Sequence, residues 1–250
     1  MSENEKTIVI GGITGGIGAS LARKLCAEGH SVRGFARDSE RINRLKEELD
    51  IPIDTVDATN PNDIEDYIDS VRESSGEIGA YVHAIGSIFL KPAHLTSPDD
   101  WHNVIRANLD SAFYALRACT KVMQKQRHGN CLFFSTAAAQ VGIANHEAIA
   151  AAKGGIEAMV RSAAASYSSK GLRFNAIAPS LTDTPMAQPV IGSEQALEIS
   201  KRMHPLGDIG NAGDVASLAA WLISDQARFV TGQTYTIDGG ISTVVPKPKA

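Results

Sequence analysis

Between a short apolar run, residues 7–10, and a stretch with helical spacing stands Gly11-Gly12-Ile13-Thr14-Gly15-Gly16-Ile17-Gly18. Glycines spaced as Gly12, Gly16 and Gly18 let a backbone turn tightly and approach a diphosphate, with the amides and positive end of the following helix facing the anion. A glycine cluster alone says little. Placed between a first strand and a first helix, it predicts a dinucleotide-binding turn in which Gly12, Thr14, Gly16, Ile17 and Gly18 line the cofactor; the bland alternative is a turn needed only for folding. His146-Glu147 begins like the zinc pattern His-Glu-x-x-His, but Ala150 stands where the second histidine belongs, so no metal is expected. Cys26, Cys119 and Cys131 lie far apart without a Cys-x-x-Cys pair, which predicts reduced thiols. The histidines at 30, 94, 102, 128 and 204 show no ligand spacing and read as surface or loop residues.

The elements that must position these groups alternate along the chain. Strand-like runs at 7–10, 31–36, 53–56, 79–84, 130–135, 172–177 and 233–237 are separated by helical spacing at 16–29, 38–49, 61–75, 98–126 and 147–169. Connections that long are crossovers rather than hairpins. The expected fold is therefore α/β: a single-domain, Rossmann-type, doubly wound and mostly parallel seven-stranded sheet with helices on both faces. No linker, charge block or repeat divides residues 1–250. The segment 183–210 is too long for an ordinary strand-to-helix connection and reads as a substrate lid, with Met186, Pro189, Val190, Ile191 and Met203 as an apolar face. Residues 241–250 read as a loosely ordered arm.

A net charge of −4 over 250 residues offers no basic excess for nucleic acid or an anionic membrane, so a small-molecule substrate is expected. The longest uncharged run, 129–146, is broken by polar residues and fails as a bilayer span. The amino terminus lacks the basic and apolar regions of a secretion signal, and a cytoplasmic location is expected.

On these residues the chain resembles the short-chain dehydrogenase/reductase family over nearly its whole length. Besides the glycine turn, Asp57, followed by Ala58, stands where the family contacts adenine. Val82-His83-Ala84-Ile85-Gly86 is similar to the His-Ser-Ile-Gly of the enoyl-acyl-carrier-protein reductases of the superfamily, and places Ala84, Ile85 and Gly86 along the cofactor. Asn108 matches the family's helix-4 asparagine. Asn175-Ala176-Ile177-Ala178-Pro179 with Thr184 resembles the nicotinamide-side segment, and Thr231-Gly232 through Asp238-Gly239-Gly240 the closing motif. The resemblance also implies a homodimer or homotetramer built on the helices at 98–126 and 147–169.

The end of the second strand reads Phe35-Ala36-Arg37-Asp38. By the family's count, Ala36 replaces the aspartate that accepts from both NAD ribose hydroxyls, and Arg37 follows it. A guanidinium can pair with the NADP 2′-phosphate, so NADP is expected in preference to NAD. The alternatives are a solvated Arg37, or an Asp38 turned inward that would select NAD.

The catalytic pattern departs from the family. Lys153 takes the lysine position of Tyr-x-x-x-Lys, but four residues earlier stands Ile149, and thirteen residues before that Thr136, preceded by Ser135, takes the serine position. Ile149 has no proton to give. Losing a general acid costs about 10²–10⁴ in rate while cofactor binding survives. His146, with six residues before Lys153, falls where enoyl reductases carry their tyrosine. An imidazole, with a reference pKa near 6.5, gives up its proton more readily than a phenol near 10. The candidate set is Thr136 positioning the substrate oxygen, His146 as acid, Lys153 holding the nicotinamide ribose and Asn108 supporting Lys153 through a water. Glu147 is a second possible acid, although a glutamate in a first turn commonly serves the helix dipole; His83 reads as a backbone-bonded residue beside the pocket.

Two functions compete: an NADP(H)-dependent oxidoreductase acting on a carbonyl or an activated double bond through an atypical site, and an NADP-binding regulatory or partner subunit without hydride chemistry, for which Ile149 is the main argument.

Overall fold

The computed structural model describes residues 6–245. Seven parallel strands form one sheet in the order β3-β2-β1-β4-β5-β6-β9. They are β1 (Thr7–Gly11), β2 (Val32–Ala36), β3 (Ile53–Thr55), β4 (Ile78–His83), β5 (Gly129–Phe134), β6 (Leu172–Pro179) and β9 (Thr234–Ile237). Side chains alternate across the pleat, so β1 sends Val9 to one face and Ile8 and Ile10 to the other. On the Val9 face, α3 (Pro61–Ser75), α5 (Ser111–Gln126) and α6 (Glu147–Tyr167) bury Ile64, Ile68, Cys119, Ile156 and Val160. The opposite face is covered by α1 (Gly16–Ala27), α2 (Ser39–Leu49) and α9 (Ala212–Ile223), through Leu21, Leu25, Leu45 and Val215. A doubly wound α/β sheet results, as the alternation predicts.

The strand order reverses between β1 and β4, and a crevice opens outside the carboxyl ends of strands at such a switch point. Gly11 and His83 are partners there.

Two differences from the sequence reading concern helices. Residues 98–126 are not one regular helix: α4 (Pro98–Ile105) passes through a π-helical stretch, Arg106–Asp110, into α5. Such a bulge reorients side chains within a helix, and Asn108 sits in it. The sequence reading assigned no helix to residues 212–223, whose alternation of alanine with larger apolar residues now forms α9, closed at its start by a reciprocal Asn211–Asp214 capping box. The 183–210 segment folds into α7 (Gln188–Ile191) and α8 (Glu194–Met203), framed by the paired strands β7 (Thr182–Asp183) and β8 (Gly210–Asn211). Residues 241–244 do not form a loose arm: the Asp238 carboxylate accepts from the Gly240 and Ser242 amides and folds the chain back. Val245 is exposed, and the rest of that arm, 246–250, lies outside the described residues. No helix among the described residues is long and apolar enough to cross a membrane.

His83, read from the sequence as backbone-bonded, is instead held by side chains. Ser111 Oγ donates to the Ala107 carbonyl, so His83 Nε2 donates to Ser111 Oγ (3.1 Å) and Nδ1 accepts from the Tyr81 hydroxyl (2.9 Å). Burial, with a smaller contribution from the Lys153 ammonium, lowers its pKa from 6.5 to about 3. The folded ring stays neutral while the unfolded ring takes a proton below 6.5. The stability it contributes is therefore complete above pH 6.5 and is lost as the pH falls toward 3. Between neutrality and a pH of about 4.5 the expected loss through this group is about 2–3 kcal/mol. Denaturant unfolding at the two pH values should show that loss in the wild type and a smaller one in His83→Gln.

Candidate active site

The glycine turn is built as a cradle. Gly12 has φ +76°, where L side chains are strained, and a Cβ there would lie 2.5 Å from the Ala84 carbonyl oxygen. A Cβ on Gly16 would lie 2.6 Å from Thr184 Cγ2, so the approach to the lid meets the turn at a glycine. Gly18 is buried, and a side chain there would strike the Gly12 carbonyl, which makes it the glycine that lets α1 pack against the turn. Gly15 caps α1 without a side chain, and the first turn of α1 has no acidic residue, so no side chain competes with an anion for its amides. The backbone fits a diphosphate. Gly12→Ala is expected to cost about 1–3 kcal/mol through strain alone, read by thermal unfolding, with loss of dinucleotide affinity read by calorimetry.

At the end of β2, Asp38 is committed elsewhere. Its carboxylate accepts from the Glu40 and Arg41 amides at 3.1 Å as the cap of α2, and it pairs with Arg41. That removes the inward-turned Asp38 alternative. Arg37 is exposed, and no hydrogen bond or ion pair holds its guanidinium among the described residues. Asp57 accepts from the Thr59 amide and hydroxyl; chiefly through that amide, and with help from Arg37 and Arg106, its carboxyl is held below the usual carboxylate range. Ala58 is buried behind it.

Where the carboxyl ends of β4, β5 and β6 meet the lid, a cleft of about 330 Å³ opens. Gly16, Ile17, Ala84, Ile85, Gly86, Thr136, His146, Lys153, Pro179 and Thr184 all line it, residues that the sequence reading drew from segments up to 168 positions apart. Gly12, Thr14 and Gly18 of the turn, and Arg37, Asp57, Ala58 and Asn108, lie outside this lining. Met186, Val190 and Met203 form the lid's contribution; Pro189 does not reach the cleft, and Ile191 is packed within the lid. Ile241 lines the cleft from the folded-back terminus.

Lys153 is 6% exposed, and its Nζ donates to the Phe134 carbonyl at 2.9 Å. Burial lowers its pKa from 10.5 to about 8. An ammonium has three protons to donate, and this hydrogen bond uses one. A Cβ on Gly86 would stand 3.1 Å from Nζ and 2.9 Å from Asn108 Oδ1, so the glycine leaves room for both groups. Asn108 is fully buried: its oxygen accepts from the Ser87 amide, and its nitrogen donates to Ser87 Oγ and the Val104 carbonyl. Its side chain thus holds the loop after β4, rather than having Lys153 as a direct partner.

Thr136 Oγ1 accepts from the Ala138 amide at 3.3 Å, which leaves its hydroxyl proton to offer to the cleft. Ser135 is turned away, donating to Glu157 at 2.7 Å. His146 Nδ1 donates to the Ala144 carbonyl at 2.8 Å, so its neutral ring presents a lone pair on Nε2 and gives a proton only as imidazolium. Glu147 is exposed in the first turn of α6 and does not line the cleft. Ile149 does line it, one turn before Lys153, and buries most of its surface against Val104, Ala148 and Ala152.

Among the cleft residues that the sequence reading missed, Ser180 and His204 form a polar pair. His204 is not a surface residue: it is 5% exposed, and its ring joins the Ser200 carbonyl to the Ser180 hydroxyl. No spacing rule links positions 180, 200 and 204; only the adjacency of Ser180 to Pro179 hinted at it. Among the described residues no cluster of His, Cys, Asp or Glu is arranged to hold a metal ion.

Comparison with known proteins agrees with this geometry. A family model described as enoyl-(acyl carrier protein) reductase matches residues 12–242. A 3beta-hydroxysteroid dehydrogenase 1 of Eggerthella lenta is 32% identical over 95% of this chain and 94% of its own. The 3-oxoacyl-[acyl-carrier-protein] reductase FabG of Salmonella typhimurium is 28% identical over 98% of this chain and 100% of its own. Among solved structures, a short-chain type dehydrogenase/reductase from Mycobacterium ulcerans superposes with a TM-score of 0.91 at 26% identity, covering 97% of this chain and 91% of that one.

Proposed function

We propose, because this chain belongs to the short-chain dehydrogenase/reductase family, that it is an NADP(H)-dependent oxidoreductase acting on a small carbonyl compound or an activated double bond. The observation that carries the reading is the convergence of the glycine cradle, the buried Lys153 and the Thr136 hydroxyl on one apolar cleft at the switch point. Bound there, the nicotinamide would supply or accept the hydride. Gly12, Thr14, Gly16, Ile17 and Gly18 hold the diphosphate end, with Asp57 and Ala58 at the adenine, and Ala84, Ile85, Gly86, Pro179 and Thr184 flank the nicotinamide half. Lys153 donates its remaining protons to the ribose hydroxyls, and Asn108 holds the Ser87 loop that borders it. Thr136 orients the substrate oxygen, and His146, in place of the side chain that Ile149 lacks, delivers the proton as imidazolium and recovers it from solvent. The relatives are dehydrogenases and reductases, which supports catalysis over a purely regulatory role.

NADP is assigned from Arg37, whose guanidinium, unpaired among the described residues, stands beside Ala36 while Asp38 is bound to its helix. A charge-assisted pair with the 2′-phosphate is worth about 1.5–3 kcal/mol, or roughly 10–100-fold in affinity. Arg37→Ala should reduce the ratio of NADPH to NADH affinity by that factor, measured by calorimetry. The overall test is oxidation of NADPH with a panel of ketones, diketones, quinones and enoyl thioesters; no turnover above background across the panel would sink the enzymatic reading. The reading extends to a homodimer or homotetramer with its interface on α4–α5 and α6, supported by the exposed Trp101 and Phe113, with light scattering as its measurement.

A further inference from the structure

Among the cleft-lining hydroxyls, those of Thr182, Thr184 and Ser200 donate to backbone carbonyls, whereas that of Ser180 meets a buried histidine. Ser180 follows Pro179 at the end of β6, and its Oγ lies 2.9 Å from Nε2 of the buried His204, the residue that ends α8. Nδ1 of that ring lies 2.7 Å from the Ser200 carbonyl. A carbonyl only accepts, so Nδ1 carries a proton, and in the neutral ring Nε2 carries the lone pair. Ser180 must then donate its one proton to His204. What Ser180 Oγ has left for the cleft is lone pairs, and an acceptor in an apolar wall is matched by a substrate donor.

The rest of the lining narrows the partner. Met186, Val190 and Met203 come from the lid, and Ile143 and Ile149 from the loop before α6 and its first turn. No Asp, Glu or Arg lines the cleft among the described residues; its one lysine, Lys153, is given by the reading above to the nicotinamide ribose, at the end of the cleft away from Ser180. A carboxylate or phosphate carried this far in would lose its hydration without gaining a counter-charge.

We propose that the Ser180–His204 pair makes this cleft selective for a neutral, largely apolar carbonyl substrate that carries a separate hydroxyl group, which donates to Ser180 Oγ. The proposal rests on the oxidoreductase reading above and names its substrate class. His204 acts as a positioning residue, since it fixes the polarity of Ser180 without itself meeting the substrate.

The test uses 1-decalone, its singly ring-hydroxylated derivatives, decalindiones and a decalone carboxylate, with NADPH present for rates and NADP present for calorimetric binding. At least one hydroxydecalone should exceed 1-decalone by about tenfold or more in kcat/KM and in affinity, and the carboxylate should bind worst. Ser180→Ala should collapse the hydroxy-to-deoxy ratio. His204→Phe, checked for a native unfolding transition, frees the Ser180 proton and should move the preference from hydroxydecalones to decalindiones, an exchange that general loosening of the lid would not produce. A wild type indifferent to the hydroxyl at every ring position, or a ratio unmoved in Ser180→Ala, overturns the inference. If no probe is reduced, the oxidoreductase reading fails separately, and the calorimetric ratios still decide what Ser180 selects.

Discussion

Lys153→Ala is expected to lower kcat/KM by about 10²–10⁴-fold, the scale of losing a preorganised charged donor from a catalytic site. The loss should be chemical rather than structural. Removing Nζ leaves the Phe134 carbonyl without its partner, at about 1–3 kcal/mol, but also removes a buried ammonium whose desolvation is what lowers the pKa to about 8. The two effects oppose each other, so the unfolding temperature should change little. Below a pH of about 8 the side chain is an ammonium that favours an anionic dinucleotide; above it the charge is lost. The Kd for NADPH should therefore rise as the pH passes upward through about 8, and that rise should be absent in Lys153→Ala. Lys153→Arg should not restore the rate, because a planar fork cannot take the place of a point donor beside Gly86 and Phe134. Calorimetry across this range, with steady-state rates, checks both parts. A fully active Lys153→Ala would remove the lysine from the mechanism.

Ile149→Tyr, the second large effect, should raise kcat by about 10²–10⁴-fold where proton delivery limits turnover. Ile149 lies one helical turn before Lys153 on the same face of α6 and already borders the cleft, so a phenol there gains a route out of the Val104–Ala152 cluster and an ammonium that lowers its pKa. Overpacking should cost about 1–3 kcal/mol. The companion substitution separates the two functional readings. If His146 is the native acid, His146→Ala cuts turnover by a similar factor in the wild-type background, does much less when combined with Ile149→Tyr, and leaves NADPH binding intact, since groups serving one step are not additive. If Ile149→Tyr creates activity while His146→Ala changes nothing, the native protein is a binding module. The measurements are initial rates for the four variants of this cycle and NADPH titrations for each.

The glycine turn was legible before folding because local chemistry decides it. A glycine held at positive φ, as at Gly12, and an uncapped helix start announce an anion-binding turn within eight residues, and apolar runs of strand length separated by helical spacing leave few topologies open. The contacts made across the rest of the site were not legible in the same way. Asp38, which the sequence allowed to turn inward to the ribose, instead caps α2, where two backbone amides satisfy the carboxylate. His204, without a ligand-like neighbour in sequence, passed for a surface residue, although it bridges β6 and the lid. Asn108 lies in a π-helical turn that the sequence did not announce, and its bonds run to Ser87 and Val104.

By itself, then, the amino-acid order determined a parallel α/β sheet, the position of its glycine turn, a lysine at position 153 and the want of a tyrosine at position 149. Periodicity, glycine conformational freedom and charge act within a few residues and survive in one dimension. Only the tertiary structure decided which side chains share the cleft and which atom of each is left over to act there. That choice depends on hydrogen bonds between elements far apart in the chain, where each buried polar group takes whichever partner the packing brings within reach.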